Sequence, residues 1–162
     1  MQSKTLTGKA RDNLMTILNH ALEEEVVLSV TMRGFLNNIT GPNFHSLYRL
    51  FGDQCRQIDR WLGEISARAR GMGVVARAGA SEVTRAARDS VGPPGALPPR
   101  NMIGELLVQH EGIADRLRAD LAACSSDAST AELLKRLVEF HETAAWMLQM
   151  VLDGPEVPRS GA

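Results

Sequence analysis

The chain has 162 residues, of which 44% are hydrophobic and 23% charged, and its formal net charge is -1. This length suits one domain rather than two, and with a mean hydropathy of -0.13 the composition argues against both disorder and a membrane span. A near-neutral chain exerts no overall pull on phosphate, so nucleic-acid binding would need a local basic patch.

Aromatic residues make up only 4% of the chain, so a core must be built mainly from Leu, Val, Ile, Met and Ala, which favours helices. Cys55 and Cys124 form no C-x-x-C pair and no zinc-finger spacing, which indicates neither a disulfide framework nor structural zinc. The stretch Met1 to Arg11 has no apolar leader segment, and a cytoplasmic location is expected.

The first helix is announced by Leu14, Leu18, Ala21, Leu28, Met32, Phe35 and Ile39, spaced by threes and fours, with the one gap filled by Glu25,. Thr40-Gly41-Pro42-Asn43 ends it,. A second stripe, Phe44, Leu47, Phe51, Cys55, Ile58, Leu62, Ile65, Ala69 and Met72, closes at Gly71 and Gly73,. Residues 74–99 break the period with Gly79, Gly92, Gly95, Pro93-Pro94 and Pro98-Pro99. A short helix is expected at Ser81 to Arg88, capped by Ser81.

The third stripe is Ile103, Leu106, His110, Ile113, Leu117, Leu121 and Cys124. The fourth, from about Ser129 to Leu152, is Leu133, Leu137, Phe140, Ala144, Met147 and Val151, widened by Leu134 and Leu148,. Two tight turns flanking one long connection describe an all-α, ferritin-like four-helix bundle with a long crossover between helices 2 and 3 carrying a short extra helix. A single domain is expected over 1–162, with flexible tails at 1–9 and 154–162.

The turn and second helix, Asn38-Ile39-Thr40-Gly41-Pro42-Asn43-Phe44-His45-Ser46-Leu47-Tyr48-Arg49-Leu50-Phe51, resemble the signature of the Dps family, His-Trp-Asn-x-x-Gly-x-x-Phe-x-x-Leu-His-x-x-Phe. The segments Asp127 to Leu134 and His141-Glu142-Thr143-Ala144-Ala145-Trp146-Met147-Leu148 resemble that family's last helix, and Glu25, Val27, Leu28 and Arg33 fit its first. The resemblance implies a homo-oligomeric hollow dodecamer in the cytoplasm. Such a shell binds iron, oxidises Fe(II), stores the ferric mineral and, in many members, coats DNA at the nucleoid during starvation.

That chemistry transfers only residue by residue. The family's di-iron ligands are two His and an Asp-x-x-x-Glu set, and the positions matching them here hold Leu36, Tyr48, Gly63 and Ala67. Leu, Gly and Ala offer iron no side-chain donor, and a neutral phenol is a poor substitute for imidazole. No catalytic residue is assigned, and the resemblance implies a divergent, non-catalytic shell protein that co-assembly with an active paralogue could supply with iron oxidation. Mineral nucleation is weakened as well, because the cavity-facing positions read Arg49, Gly52 and Asp53.

Two metal-binding alternatives remain at this stage. Asp127 and Glu132 resemble the family's acidic pore lining, and a carboxylate ring attracts cations. A relocated site could draw on Asp59, Glu25 and Asp53. Against it, Asp59 has Arg56 or Arg60 for a partner, and Glu25 reads as a single paired or hydrogen-bonded carboxylate.

His110, on a core stripe, reads as a hydrogen-bonded interior histidine, and His141 as a packing or interface residue. His20 and His45 are expected at the surface, and Trp61 and Trp146 in burial or an interface. For DNA, the N-terminal cations are Lys4, Lys9 and Arg11, with Arg68, Arg70, Arg77, Arg85 and Arg88 as a second group. These would give weak binding at most, or serve in ion pairs. A pocket for an apolar ligand where Leu36, Gly63 and Ala67 replace polar residues is a further alternative.

Overall fold

Gly41, at φ +99°, turns the chain between its first two helices, a conformation L side chains rarely adopt,. In the computed structural model, which describes residues 8–73, 97–124 and 127–154, α1 runs Gly8–Asn38 and α2 runs Phe44–Gly71. Then α3 runs Pro99–Ala123 and α4 runs Ala128–Asp153. Pro sits in the first turn of α3, where its missing N–H is no loss,. Asp127 caps α4 by accepting from the Thr130 N–H at 3.3 Å,. The short helix expected at Ser81 to Arg88 lies outside the described residues, as do Lys4, Arg77 and the C-terminal tail beyond Gly154. Gly8 and Lys9 are already helical.

The helices pack most closely as the pairs α1–α2 and α3–α4, which join more sparsely through α1–α3 and α2–α4. The core follows the expected stripes on the first three helices: Leu14, Leu18, Leu28 and Met32 on α1, Phe51, Ile58 and Ile65 on α2, and Leu106 and Leu117 on α3 are all at most 1% exposed. Burying such side chains stabilises by roughly 1.5–3 kcal/mol each.

On α4 the expected residues Leu133, Leu134, Leu137, Phe140, Ala144 and Leu148 are buried, with His141 among them. The departure lies near the C-terminal end, where Met147 and Val151 are 40% and 38% exposed.

Candidate functional site

The face that carries the Dps-like motifs is built by the second half of α1 and by α2. Leu36 is half-buried, whereas Tyr48, Gly63 and Ala67 are exposed. Tyr48 packs against Phe44 with ring centroids 5.4 Å apart. One turn before Leu36, the Arg33 guanidinium donates to Asp59, which lies one turn before Gly63. Its Nε also donates to Ser29 Oγ at 3.2 Å. The bond to Asp59 raises the Arg33 pKa above its ordinary value despite partial desolvation. Asp59 therefore finds its cation across the helix pair, not in neighbouring Arg56 or Arg60, and Arg56 instead pairs with Asp53. Neither acid stands free to meet a metal.

Glu25, the third acid of the relocated set, is elsewhere. It is 1% exposed in the bundle interior, where its Oε1 lies 2.6 Å from His141 Nε2. His141 Nδ1 in turn lies 2.9 Å from His110 Nδ1, and both imidazoles are fully buried. With the carboxylate accepting the Nε2–H of His141, the two Nδ1 atoms share one proton between them. Burial, reinforced by the charge of His141, pushes the His110 pKa down to about 3, so His110 is a neutral imidazole at physiological pH. Neighbouring Glu24 is raised by burial, against the opposing pull of its partner Arg116.

The result is a linear chain, Glu25–His141–His110, linking α1, α4 and α3. Its members lie in file and do not surround a point. Among the described residues, no three His, Cys, Asp or Glu side chains converge to hold a metal ion. The interior hydrogen bonding expected of His110 and Glu25 is present, whereas His141 is a member of the polar chain and not simply a packing residue. Trp146, expected in burial or an interface, is 60% exposed on this chain.

Of the acidic pair on α4, Asp127 is committed to the fold. It accepts from Arg68 and from the Thr130 hydroxyl, while Arg68 Nε reaches Thr130 Oγ1 at 3.0 Å. Burial pulls the Asp127 carboxyl up, but the bonds from Thr130 and Arg68 together outweigh it and hold the pKa below the usual range. Glu132 is exposed. At the same end of the bundle, just beyond α2, Arg11 Nη2 donates to the Gly73 carbonyl at 3.2 Å, so one of the three N-terminal cations is engaged in the fold, and Lys9 is exposed.

The ferritin-like domain family matches residues 15–156, most of the chain. The chain belongs to the ferritin-like family. This ferritin-like chain is 25% identical to a low temperature-induced protein of Nostoc sp. (strain PCC 7120), an alignment covering 96% of this chain and 89% of that protein. Its fold matches Dps from Thermosynechococcus elongatus with a TM-score of 0.82 at 23% identity, covering 91% and 95% of the two chains. An archaeal Dps homologue from Halobacterium salinarum gives 0.86 at 17% identity, covering 99% and 90%. A Dps protein from Vibrio cholerae O1, described as one of a broad superfamily of ferritin-like diiron-carboxylate proteins, gives 0.82 at 20%, covering 94% and 96%.

Measured against the Dps signature, this ferritin-like chain is divergent. Leu36, Gly63 and Ala67 bring no donor atom, and the carboxylates within a turn of them on α2, Asp59 and Glu64, are held by the guanidiniums of Arg33 and Arg136. The residues present do not fit a di-iron centre at that face. No helix of the described residues is long and apolar enough to cross a membrane.

Proposed function

We propose that the chain is a shell-forming subunit of the Dps-like type, a binding and structural protein that does not oxidise ferrous iron at the face carrying the Dps-like motifs. The observation that carries this reading is the Arg33–Asp59 pair set beside Leu36, Gly63 and Ala67. A positive charge stands where an iron substrate would need carboxylates and occupies Asp59, while Glu64, the other acid within a turn of those positions, is paired with Arg136,.

Assembly is supported by the apolar surface of the single chain. Phe44 and Tyr48 lie together at one end of α2, and Trp146, Met150 and Val151 on α4, all at least 36% exposed. A soluble chain gains by covering such patches against further copies of itself. Attraction of cations to a shell pore would rest on Glu132, because Asp127 is already neutralised by Arg68. The two buried free thiols, Cys55 and Cys124, suit a cytoplasmic home.

Light scattering of the purified chain, together with optically monitored aerobic Fe(II) oxidation, tests the reading. A mass near that of about 12 subunits and an oxidation rate equal to that of buffer are expected. A monomer would remove the shell. A rate well above buffer that Asp59→Ala abolishes would make the chain an iron-oxidising enzyme with relocated ligands.

A further inference from the structure

Where α2 and α4 face each other, Gln54 is 2% exposed and neither its Oε1 nor its Nε2 has a hydrogen-bond partner. Two hollows of about 380 and 460 Å³ adjoin at this residue and share Gln54, Gln57 and Met147. The smaller is walled by Trp61 and Phe140, whose rings lie 6.1 Å apart. Over the indole sits the Arg136 guanidinium, 5.3 Å from the ring centroid and bonded to Glu64 at 2.9 Å.

We propose that this groove binds a small planar heteroaromatic molecule of nucleobase type, as free base or nucleoside. A carboxamide offers one donor and one acceptor side by side, the pattern that matches an adjacent acceptor and donor on the edge of a base. Left unpaired in the interior, those atoms destabilise the fold, so a ligand that satisfies both is favoured by more than its own contacts. Trp61, half-buried, gives the flat apolar wall on which a base stacks, backed by the buried Phe140,. Met147 is 40% exposed and lines both hollows. Its unbranched side chain is the adaptable wall whose rotation brings the ligand edge to the amide.

The rim decides the charge of the ligand. Arg136 is paired with Glu64 and Arg56 with Asp53, and Glu139 stands opposite Arg60 in the count of remaining charges. This balance leaves no excess of positive charge for a phosphate tail, so an uncharged nucleoside is preferred to its nucleotide. The site is separate from the Dps-like face, and its test does not depend on the fate of iron.

The test uses the full-length chain carrying Trp146→Phe, which leaves Trp61 as the single indole. Titration with adenosine, guanosine, cytidine and uridine is expected to give saturable quenching of Trp61 by at least one of them, and weaker quenching by the matching monophosphate. Gln54→Leu, which removes the amide at similar volume, should weaken that binding about tenfold or more. Equilibrium dialysis with Trp61→Ala gives a second reading that needs no fluorescence and should show the same direction. The proposal is overturned if none of the four nucleosides quenches saturably, or if Gln54→Leu and Trp61→Ala both bind as the parent does.

Discussion

His141 on α4 reaches Glu25 on α1 at 2.6 Å, joining two helices that otherwise barely touch, since α1 packs mainly on α2 and α3. The bond crosses the bundle diagonally. Removing one member leaves the other buried without a partner, the situation in which a polar interior is most sensitive to substitution. Glu25→Ala should therefore lower stability by about 3–5 kcal/mol. Glu25→Gln, which keeps an acceptor for the Nε2–H, should lower it by less. Urea unfolding followed by circular dichroism ranks the two, and a Glu25→Ala midpoint equal to that of the parent would refute the diagonal bond as a stabilising contact.

His110 gives the fold a dependence on acid. Its pKa is about 3 in the folded chain against an ordinary 6.5, so between those values the unfolded chain holds a proton that the folded chain does not. Stability from this group is complete above about pH 6.5 and falls as the pH drops toward 3, by at most about 1.4 kcal/mol per pH unit. Unfolding midpoints measured at pH 7 and pH 5 should differ less in His110→Phe than in the parent. An unchanged difference would contradict the assignment.

Asp127 acts in the same direction at lower pH. Its carboxyl is held below the ordinary range, so it contributes stability above that range and loses it as the pH falls through its own depressed value,. Asp127→Asn keeps a cap for Thr130 but loses the charge that holds Arg68, whereas Asp127→Ala loses both. The expected order in thermal unfolding is parent, then Asn, then Ala, with about 0.5–2 kcal/mol between the last two for the cap. Asn and Ala variants of equal stability would show that the cap contributes nothing.

Restoring donors at the Dps-like face tests whether their absence silences it. Leu36→His, Tyr48→His, Gly63→Asp and Ala67→Glu together supply nitrogen and oxygen donors at the positions matching the Dps ligands. Iron oxidation above the parent rate is expected, and a further rise when Arg33→Gln removes the guanidinium. A variant that assembles like the parent and oxidises no faster would show that donor loss is not what silences this face.

Much of this was readable in the residues. The stripes of α1, α2 and α3 gave their buried faces, and the lone Glu25 and His110 on those stripes marked polar positions in the core. His141 was harder, because the apolar stripe of α4 accounts for its core face without it and its partner Glu25 lies 116 positions away in the chain. Arg33 and Asp59 are 26 positions apart in the chain, and no local spacing joins them. A carboxylate's near neighbours in sequence were the available partners, and its true partner depends on how two helices are rotated against each other. Gln54 raised no signal, since an amide on a helix is ordinary until its surroundings are known.

The contact between Arg11 and the Gly73 carbonyl also sets where the N-terminus can be shortened. Gly73 sits at φ +75°, and a Cβ there would come within 2.9 Å of the Arg11 guanidinium, so the two residues are fitted to each other at the point where α2 ends. Lys4→Gln and Lys9→Gln leave that contact in place and report on those cations alone. A deletion that takes Arg11 also releases the end of α2, and any lost affinity for DNA would then mix charge with architecture.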